Sequence, residues 1–171
     1  MAEQAYTLIR SARRTLALEL RPDGTLLVRA PRQMPAAEID RFVAGRAGWI
    51  AAARERQARR DAVRCDADPA VLRARAEAEL PPLLAEWAAR MGVEPRGLRI
   101  TAAERRLGSC SADDRICLSQ NLMRWPAEVI EYVVVHELAH IRHKNHGPAF
   151  YAEIAKFLPD YRRALAILRG K

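Results

Sequence analysis

Residues 135–146 read V-H-E-L-A-H-I-R-H-K-N-H and contain all four histidines of this 171-residue chain. Apolar side chains recur at helical spacing before and through this stretch, at Val129, Ile130, Val133, Val134, Leu138 and Ile141. The spacing predicts a helix from about Pro126 to His143 that is buried on most of its sides. Since polar side chains are costly to bury without a role, histidine and glutamate in such a helix indicate a functional site.

Residues 136–140 form an H-E-x-x-H motif, with His136, Glu137 and His140 at its fixed positions. On a helix, residues four apart lie about 40° from each other around the axis, so both imidazoles can converge on one small cation. Glu137 lies about 100° from His136 and can reach a water molecule beside that cation without ligating it. This arrangement is typical of zinc peptidases, in which two histidines hold Zn²⁺ and the carboxylate is the general base.

A catalytic zinc site needs a third protein ligand, and the candidates are His143, His146 and Glu153. If the helix continued, the Cα atom of His143 would lie about 10 Å along the axis from that of His136, too far for one ion. We expect the helix to end near His143, because a Gly-Pro pair follows and the residue before a proline disfavours helical geometry. A turn at Asn145 would then swing His146 back, so we favour His146 as the third ligand.

Two further groups of residues near the motif have predicted roles. A metal-bound imidazole needs a hydrogen-bond partner at its second ring nitrogen, and Asp160 or Glu131 could orient a ligand histidine in this way.

The segment Ser109–Ser111 and the strand Arg115–Ser119 are predicted to form a hairpin beside the metal, with an edge that pairs with an extended peptide.

The first region of the chain, residues 1–64, is predicted to contain strands followed by a helix. Apolar residues at spacing two through residues 6–30, around a Pro-Asp-Gly turn at 22–24, predict a short antiparallel meander. From Pro35 the apolar period lengthens to that of an amphipathic helix, which we expect to run to about Arg60.

The second region, residues 65–171, is predicted to hold the metal site. Its first helix should begin with Asp68 as the N-cap, end near Gly92, and be kinked or split by the Pro-Pro pair at 81–82. The later elements are two extended runs that should pair and two helices after the motif helix, at residues 98–102, 115–119, 147–158 and 159–169. This order of elements predicts an α+β fold, and we expect the two regions to form one compact unit.

The 29 basic and 21 acidic residues give a net charge of +8, of which residues 1–64 carry +6. Basic charge favours anionic partners, so an alternative function is that of a nucleic-acid-associated module whose metal is structural. The sequence contains no run of about 18 apolar residues, so we expect no membrane-spanning helix. Residues 1–10 lack the apolar core of a secretory signal, so we expect no such signal there. Three cysteines are too few for a disulfide scaffold, so we expect a reducing, cytoplasmic location.

Several sequence segments together resemble one known family. They are R-L-G-S-C-S at Arg106–Ser111, the H-E-L-A-H helix, R-H-K-N-H at Arg142–His146 and L-P-D-Y at Leu158–Tyr161. With them the chain resembles the YgjP-like predicted metallopeptidases, which are relatives of the SprT-like and WLM zinc proteases.

This resemblance implies a zincin-like α+β fold and a protein or peptide substrate. It also implies a metal held by His136, His140 and His146, with Glu137 as the catalytic carboxylate. By analogy to the SprT-like proteases, the nucleic-acid alternative includes a DNA-linked protease.

Overall fold

The computed structural model describes residues 5–170 of the chain. The elements up to residue 63 are β1 (Thr7–Ser11), β2 (Ala17–Leu20), β3 (Leu26–Pro31), α1 (Ala36–Ala44) and α2 (Ala47–Val63). The later elements are α3 (Pro69–Met91), β4 (Gly97–Thr101), β5 (Gly108–Cys110), β6 (Arg115–Ser119), a 3-10 helix (Gln120–Arg124), α4 (Ala127–Arg142), α5 (Pro148–Phe157) and α6 (Tyr161–Arg169). The described residues thus form a mixed α+β fold with six α-helices and two three-stranded sheets, which confirms the predicted fold class.

Two compact units are present in the described part of the chain. One comprises the described residues up to Arg59 together with Gly170, and the other runs from Arg60 to Arg169. The division at residue 64, and the expectation that both regions form one compact unit, stay predictions. Residues 1–4 lie outside the described residues. They belong to residues 1–10, the segment in which we predict no secretory signal.

The first sheet has the strand order β1-β3-β2, so β3 lies at its centre. β2 pairs antiparallel with β3 through a turn in which Gly24 adopts a φ of 80°, as the Pro-Asp-Gly signal predicted. β1 pairs parallel to β3, so the predicted antiparallel meander is wrong for the first strand. β3, which contains the buried residues Leu26, Val28 and Ala30, takes the central position, so β1 lies beside β3 and not beside β2.

The single helix predicted from Pro35 to Arg60 is two helices in the structure, α1 and α2. α1 ends before Gly45, because a glycine inside a helix costs about 1 kcal/mol relative to alanine. Both helices keep the predicted apolar face, whose buried residues are Ile39, Val43 and Ile50.

α3 begins and ends at the predicted residues. The Asp68 side chain accepts a hydrogen bond from the Ala70 N–H at 2.7 Å, and Gly92 ends the helix with a left-handed φ of 64°. Pro81-Pro82 lies inside one continuous helix, so of the two predicted outcomes, a kink or a split, the split does not occur. A proline in a helix interior costs about 3 kcal/mol, and burial of each large apolar side chain recovers about 1.5–3 kcal/mol. Those buried side chains are Leu72, Leu80, Leu84 and Trp87.

The second sheet has the order β4-β6-β5, with β6 at its centre. β4 pairs parallel to β6 and β5 pairs antiparallel to it, which confirms the predicted pairing of the two extended runs. The β5–β6 hairpin is closed by a turn in which Asp114 has a φ of 62°. Among the described strands β5 pairs only with β6, and it packs beside α4.

α4 is the central helix of the second unit and contacts α3, α5, α6 and the second sheet. Its buried residues include Val129, Ile130, Val133, Val134, Val135, Leu138 and Ala139. The helix is therefore enclosed on most of its sides, as predicted, and it places the H-E-x-x-H motif next to β5. Within residues 5–170, no helix is long and apolar enough to cross a membrane.

Candidate metal centre

Three of the four histidines form a compact group at the end of α4. His136 and His140 project from successive turns of this helix. The chain leaves the helix at His143, in extended geometry with φ −128° and ψ 97°, and α5 begins after Gly147. This short turn carries His146 back to the helix, so that one ring nitrogen of each of the three histidines lies within 4.8 Å of the others. The Nε2 atoms of His136 and His146 are 3.0 Å apart.

Two of these imidazoles have a hydrogen-bond partner at their second nitrogen. Nδ1 of His140 donates to the main-chain carbonyl of His143 at 2.9 Å, which leaves Nε2 as the lone-pair donor. Nδ1 of His136 lies 3.2 Å from the hydroxyl oxygen of Tyr132, one turn earlier on α4. Burial raises the pKa of Tyr132 to about 12, so the hydroxyl keeps its proton at neutral pH. Each contact orients Nε2 of its imidazole towards the other two histidines of the group.

All three imidazoles pack against one apolar side chain, the ring of Phe150 on α5. This buried ring lies 4.5 to 4.8 Å, centroid to centroid, from each imidazole. Burial, followed by the charges of His140 and His146, lowers the pKa of His136 to about 3, and burial also lowers the pKa of His140. Both are therefore neutral at physiological pH, the form in which imidazole binds metals. Three imidazole nitrogens this close together fit a divalent transition metal such as zinc.

Glu137 is enclosed between α4 and β5. Its side chain is 6% exposed and lies against the main chain of Gly108, where an added Cβ would come within 2.6 Å of Cγ and Oε1 of Glu137. Burial raises the pKa of Glu137 to about 7, whereas the charge of Arg106 and a hydrogen bond from the Cys110 N–H lower it. A carboxyl group with this pKa can both accept and donate a proton at neutral pH.

Comparison with known proteins identifies the family of this chain. The YgjP-like, metallopeptidase domain family matches residues 14–70 and 69–171. The chain belongs to this family. Membership confirms the resemblance seen in the sequence segments and the zincin-like α+β fold, and it implies a metal ion, for which the three histidines offer donors.

One solved structure with some likeness to the YgjP-like chain is the crystal structure of the metallopeptidase zymogen of Pyrococcus abyssi abylysin. The two sequences are 26% identical, the match covers 50% of this chain and 85% of that chain, and the TM-score is 0.44. No curated protein matches the chain.

Of the three candidates for the third ligand in this YgjP-like chain, the structure brings His146 to the pair on α4. Glu153 is buried, but its carboxylate accepts hydrogen bonds from Lys156, at 2.7 Å, and from Arg142. These two cations lower the pKa of Glu153 and neutralise its charge. His143 reaches the group through its main-chain carbonyl. The assignment of His146 as a ligand stays a prediction that this geometry favours.

The groups that orient the imidazoles are not those expected from the sequence. We expected Asp160 or Glu131 to orient a ligand histidine, and for His136 and His140 this expectation is wrong. Their Nδ1 atoms meet Tyr132 and a main-chain carbonyl instead. Tyr132 lies four residues before His136, so helical spacing was a usable signal for this contact. The carbonyl could not be found from the sequence, because every residue has one.

A further residue that the sequence did not indicate is Lys144, which ties the turn after α4 to the β5–β6 hairpin. Its Nζ donates to Oδ1 of Asp114 at 2.6 Å and to the main-chain carbonyl of Ser111 at 3.1 Å. The hydrogen bond to Asp114 raises the pKa of Lys144. This tether joins the segment that carries His146 to the edge strand that contacts Glu137.

Proposed function

We propose that this chain is a zinc-dependent peptidase in which His136, His140 and His146 hold the metal and Glu137 is the general base. One observation carries the proposal: a single helix supplies two neutral imidazoles and a buried carboxylate, and the turn after it adds a third imidazole. Membership in a metallopeptidase family supports the same conclusion.

The donor set and the motif together favour zinc. Three protein ligands with a fourth position for water or substrate are typical of catalytic zinc sites. Imidazole also suits nickel, cobalt and iron, so the three nitrogens alone select a class of metals. The adjacent carboxylate of an H-E-x-x-H helix is the feature associated with zinc peptidases.

The residues around the site suit peptide hydrolysis. When bound, zinc would polarise the scissile carbonyl and lower the pKa of a water molecule. The Glu137 carboxylate accepts a proton from the attacking water and then donates it to the nitrogen of the leaving amine. Its burial keeps its pKa near neutrality, which suits both transfers. Tyr132 and the His143 carbonyl hold the imidazoles in place, and Phe150 keeps water from the ring faces it covers.

We further propose that the substrate is an extended peptide that pairs with the outer edge of β5. Within the described residues this strand pairs only with β6, so its other edge offers main-chain donors and acceptors. Such pairing holds a peptide through its backbone and requires no particular sequence. Because Gly108 of this strand touches Glu137, a paired peptide would pass beside the general base.

Metal content tests the ligand assignment. Untagged wild-type protein should hold about one zinc per chain, and the His146→Ala variant should lose it or bind it much more weakly. The matched control is His143→Ala, which removes an imidazole from the same turn but keeps the carbonyl that orients His140. Loss of zinc from His143→Ala, with full retention in His146→Ala, would show that the proposed third ligand is wrong.

Hydrolysis of unfolded protein tests the activity. Zinc-loaded wild type and His143→Ala should cleave denatured casein, whereas the chelated protein and His146→Ala should not. Intact casein after incubation with zinc-loaded wild type, confirmed with a broad library of unstructured peptides, would contradict the peptidase proposal.

The nucleic-acid alternative stays a prediction that rests on the +6 charge of residues 1–64. A DNA-linked protease would bind DNA with a steep dependence on salt, since each phosphate contact releases counterions. The cytoplasmic location also stays a prediction.

A further inference from the structure

A recess of about 450 Å³ opens along one face of α6. Its lining consists of five α6 residues and one α5 residue: Tyr161, Arg162, Leu165, Ala166, Arg169 and Tyr151. The five α6 residues lie within about 140° of one another around the helix axis, so they share one face. The residues between them belong to other faces, because Ala164 is buried and Arg163 pairs with Glu128 at 3.1 Å.

The wall of this recess is continuous with the candidate metal centre. The ring of Tyr151 lies 6.4 Å from the ring of His146 and stacks on Tyr161 at 6.1 Å, centroid to centroid. Tyr161 in turn stacks on Tyr132 at 6.2 Å, and the Tyr132 hydroxyl contacts His136. Two residues of extended peptide span about 7 Å, so a peptide held at the metal would reach the recess within a few residues.

The recess combines apolar walls with two cations. The tyrosine rings, Leu165 and Ala166 provide apolar surface, and the exposed residues Arg162 and Arg169 complete the lining. Within residues 5–170 neither arginine takes part in an ion pair, whereas the neighbouring Arg163 does. A guanidinium group binds a carboxylate through two parallel hydrogen bonds, so this pair favours a carboxylate ligand.

The opposite side of Tyr161 has the opposite charge. A smaller recess of about 190 Å³ lies there, and its lining includes Glu131 and Asp160 together with Glu128, which pairs with Arg163. An anionic group near the metal centre would be repelled from this side and attracted to the arginine side. The tyrosine stack therefore separates two surfaces, of which only the α6 recess suits an anion.

We propose that the α6 recess binds a carboxylate of the peptide substrate, from either its C-terminus or an Asp or Glu side chain. The inference rests on the proposed function and narrows its substrate class to peptides cut near an acidic group. Arg162 and Arg169 bind the carboxylate, and Tyr151 and Tyr161 contact the adjoining apolar part of the peptide.

Binding of small probes tests this without any hydrolysis. N-acetyl-phenylalanine, with a free carboxylate, should bind about tenfold or more tightly than N-acetyl-phenylalaninamide, as expected for charge-assisted hydrogen bonds. Titration calorimetry on the full chain, both zinc-loaded and metal-free, should show this preference in both states. A preference that disappears when zinc is removed would mean that the carboxylate binds the metal, and would overturn the proposal.

Arginine variants locate the bound carboxylate. The double variant Arg162→Gln/Arg169→Gln should bind acid and amide about equally and keep its zinc, whereas the matched control Arg163→Gln should keep the preference. If the double variant does not fold, each single variant should show a reduced preference. An unchanged preference in the double variant, or in both single variants, would overturn the proposal.

Two further probes distinguish the sources of the carboxylate. N-acetyl-glutamic acid α-amide has only a side-chain carboxylate, and N-acetyl-glutaminamide is its neutral counterpart. Binding of either acid probe that depends on the two arginines supports the proposal that the α6 recess binds a carboxylate. The probe that binds more tightly shows whether this carboxylate is that of the C-terminus or that of a side chain. Failure of the peptidase proposal would appear as absent hydrolysis, whereas failure of this inference would appear as a missing acid preference in protein that retains zinc.

Discussion

The two sheets of this protein share one topology but differ in what their edge strands contact. In each, the first strand pairs parallel and the second antiparallel to a central third strand. The registers also correspond, since Leu20 on β2 pairs with Leu26 and Cys110 on β5 pairs with Ile116, each next to its turn. Leu20 packs on an apolar core, whereas the main chain of β5 lies against the carboxylate of Glu137.

The groups packed against the second sheet, and not its strand order, make it part of a candidate active site. The backbone pattern is common to both sheets, so it does not by itself create chemistry. In the second sheet a glycine at position 108 leaves room for a carboxylate, and the helix beside it carries histidines. In the first unit, helix α1 contributes Ile39 and Val43, which add only to the apolar core.

Removing the carboxylate that distinguishes the second sheet should have the largest effect. Glu137→Gln keeps the shape of the side chain but cannot accept the proton, so hydrolysis should fall at least about 100-fold while zinc remains bound. The measurement is casein hydrolysis alongside elemental analysis, with Glu131→Gln on the same helix as the control. Hydrolysis at the wild-type rate in Glu137→Gln would show that Glu137 is not the base.

Filling the space under the carboxylate should have the next largest effect. Gly108→Ala places a Cβ within 2.6 Å of Glu137, so the base must move, and hydrolysis should fall about tenfold or more. Ser109→Ala, the next residue on β5, is the matched control and should hydrolyse casein normally. If Gly108→Ala remains fully active with normal zinc content, the close approach has no importance for the reaction.

Loosening the hairpin should have a smaller effect. Lys144→Ala removes the contact to Asp114, which is a partly exposed ion pair, so KM for a peptide should rise about two- to fivefold with little change in kcat. Lys144→Arg keeps the charge and should restore most of the wild-type KM. A fall in kcat with unchanged KM would contradict a role in holding the peptide-binding strand.

A change at the centre of the first sheet should leave the chemistry unaffected. Val28 is fully buried, so Val28→Ala should lower the free energy of unfolding by about 2 kcal/mol. Hydrolysis per folded molecule should stay at the wild-type value. Chemical denaturation and casein hydrolysis, measured on the same sample, test both halves of this expectation, and a tenfold loss of hydrolysis would show that the first sheet also serves the site.

Local sequence signals predicted the elements that carry the candidate site. The ends of α3 at Asp68 and Gly92 were predictable, because helix caps depend on adjacent residues. The end of α4 at His143 followed for the same reason from the Gly-Pro pair beyond it. That helix end is what allows His146 to return, so the favoured third candidate could be named from the sequence.

Distant packing decided the arrangement of β1 and the continuity of α3, for which the local signals indicated otherwise. The position of β1 beside β3 depends on which strand is central in the sheet, and a strand does not carry that information locally. Pro81-Pro82 remains inside α3, because buried leucines on the same helix outweigh the loss of main-chain hydrogen bonds.

The sequence alone indicates that two imidazoles and a carboxylate lie on adjacent turns of one buried helix, because helical periodicity is a property of neighbouring residues. The sequence also indicates that α4 ends before His146, so that a turn can bring this third histidine close to the other two. The close approach of Gly108 to Glu137, and the contact of Lys144 with Asp114, 30 positions away, arise from the tertiary structure. Contacts of this kind depend on how the second sheet packs beside α4, and no local pattern encodes that packing.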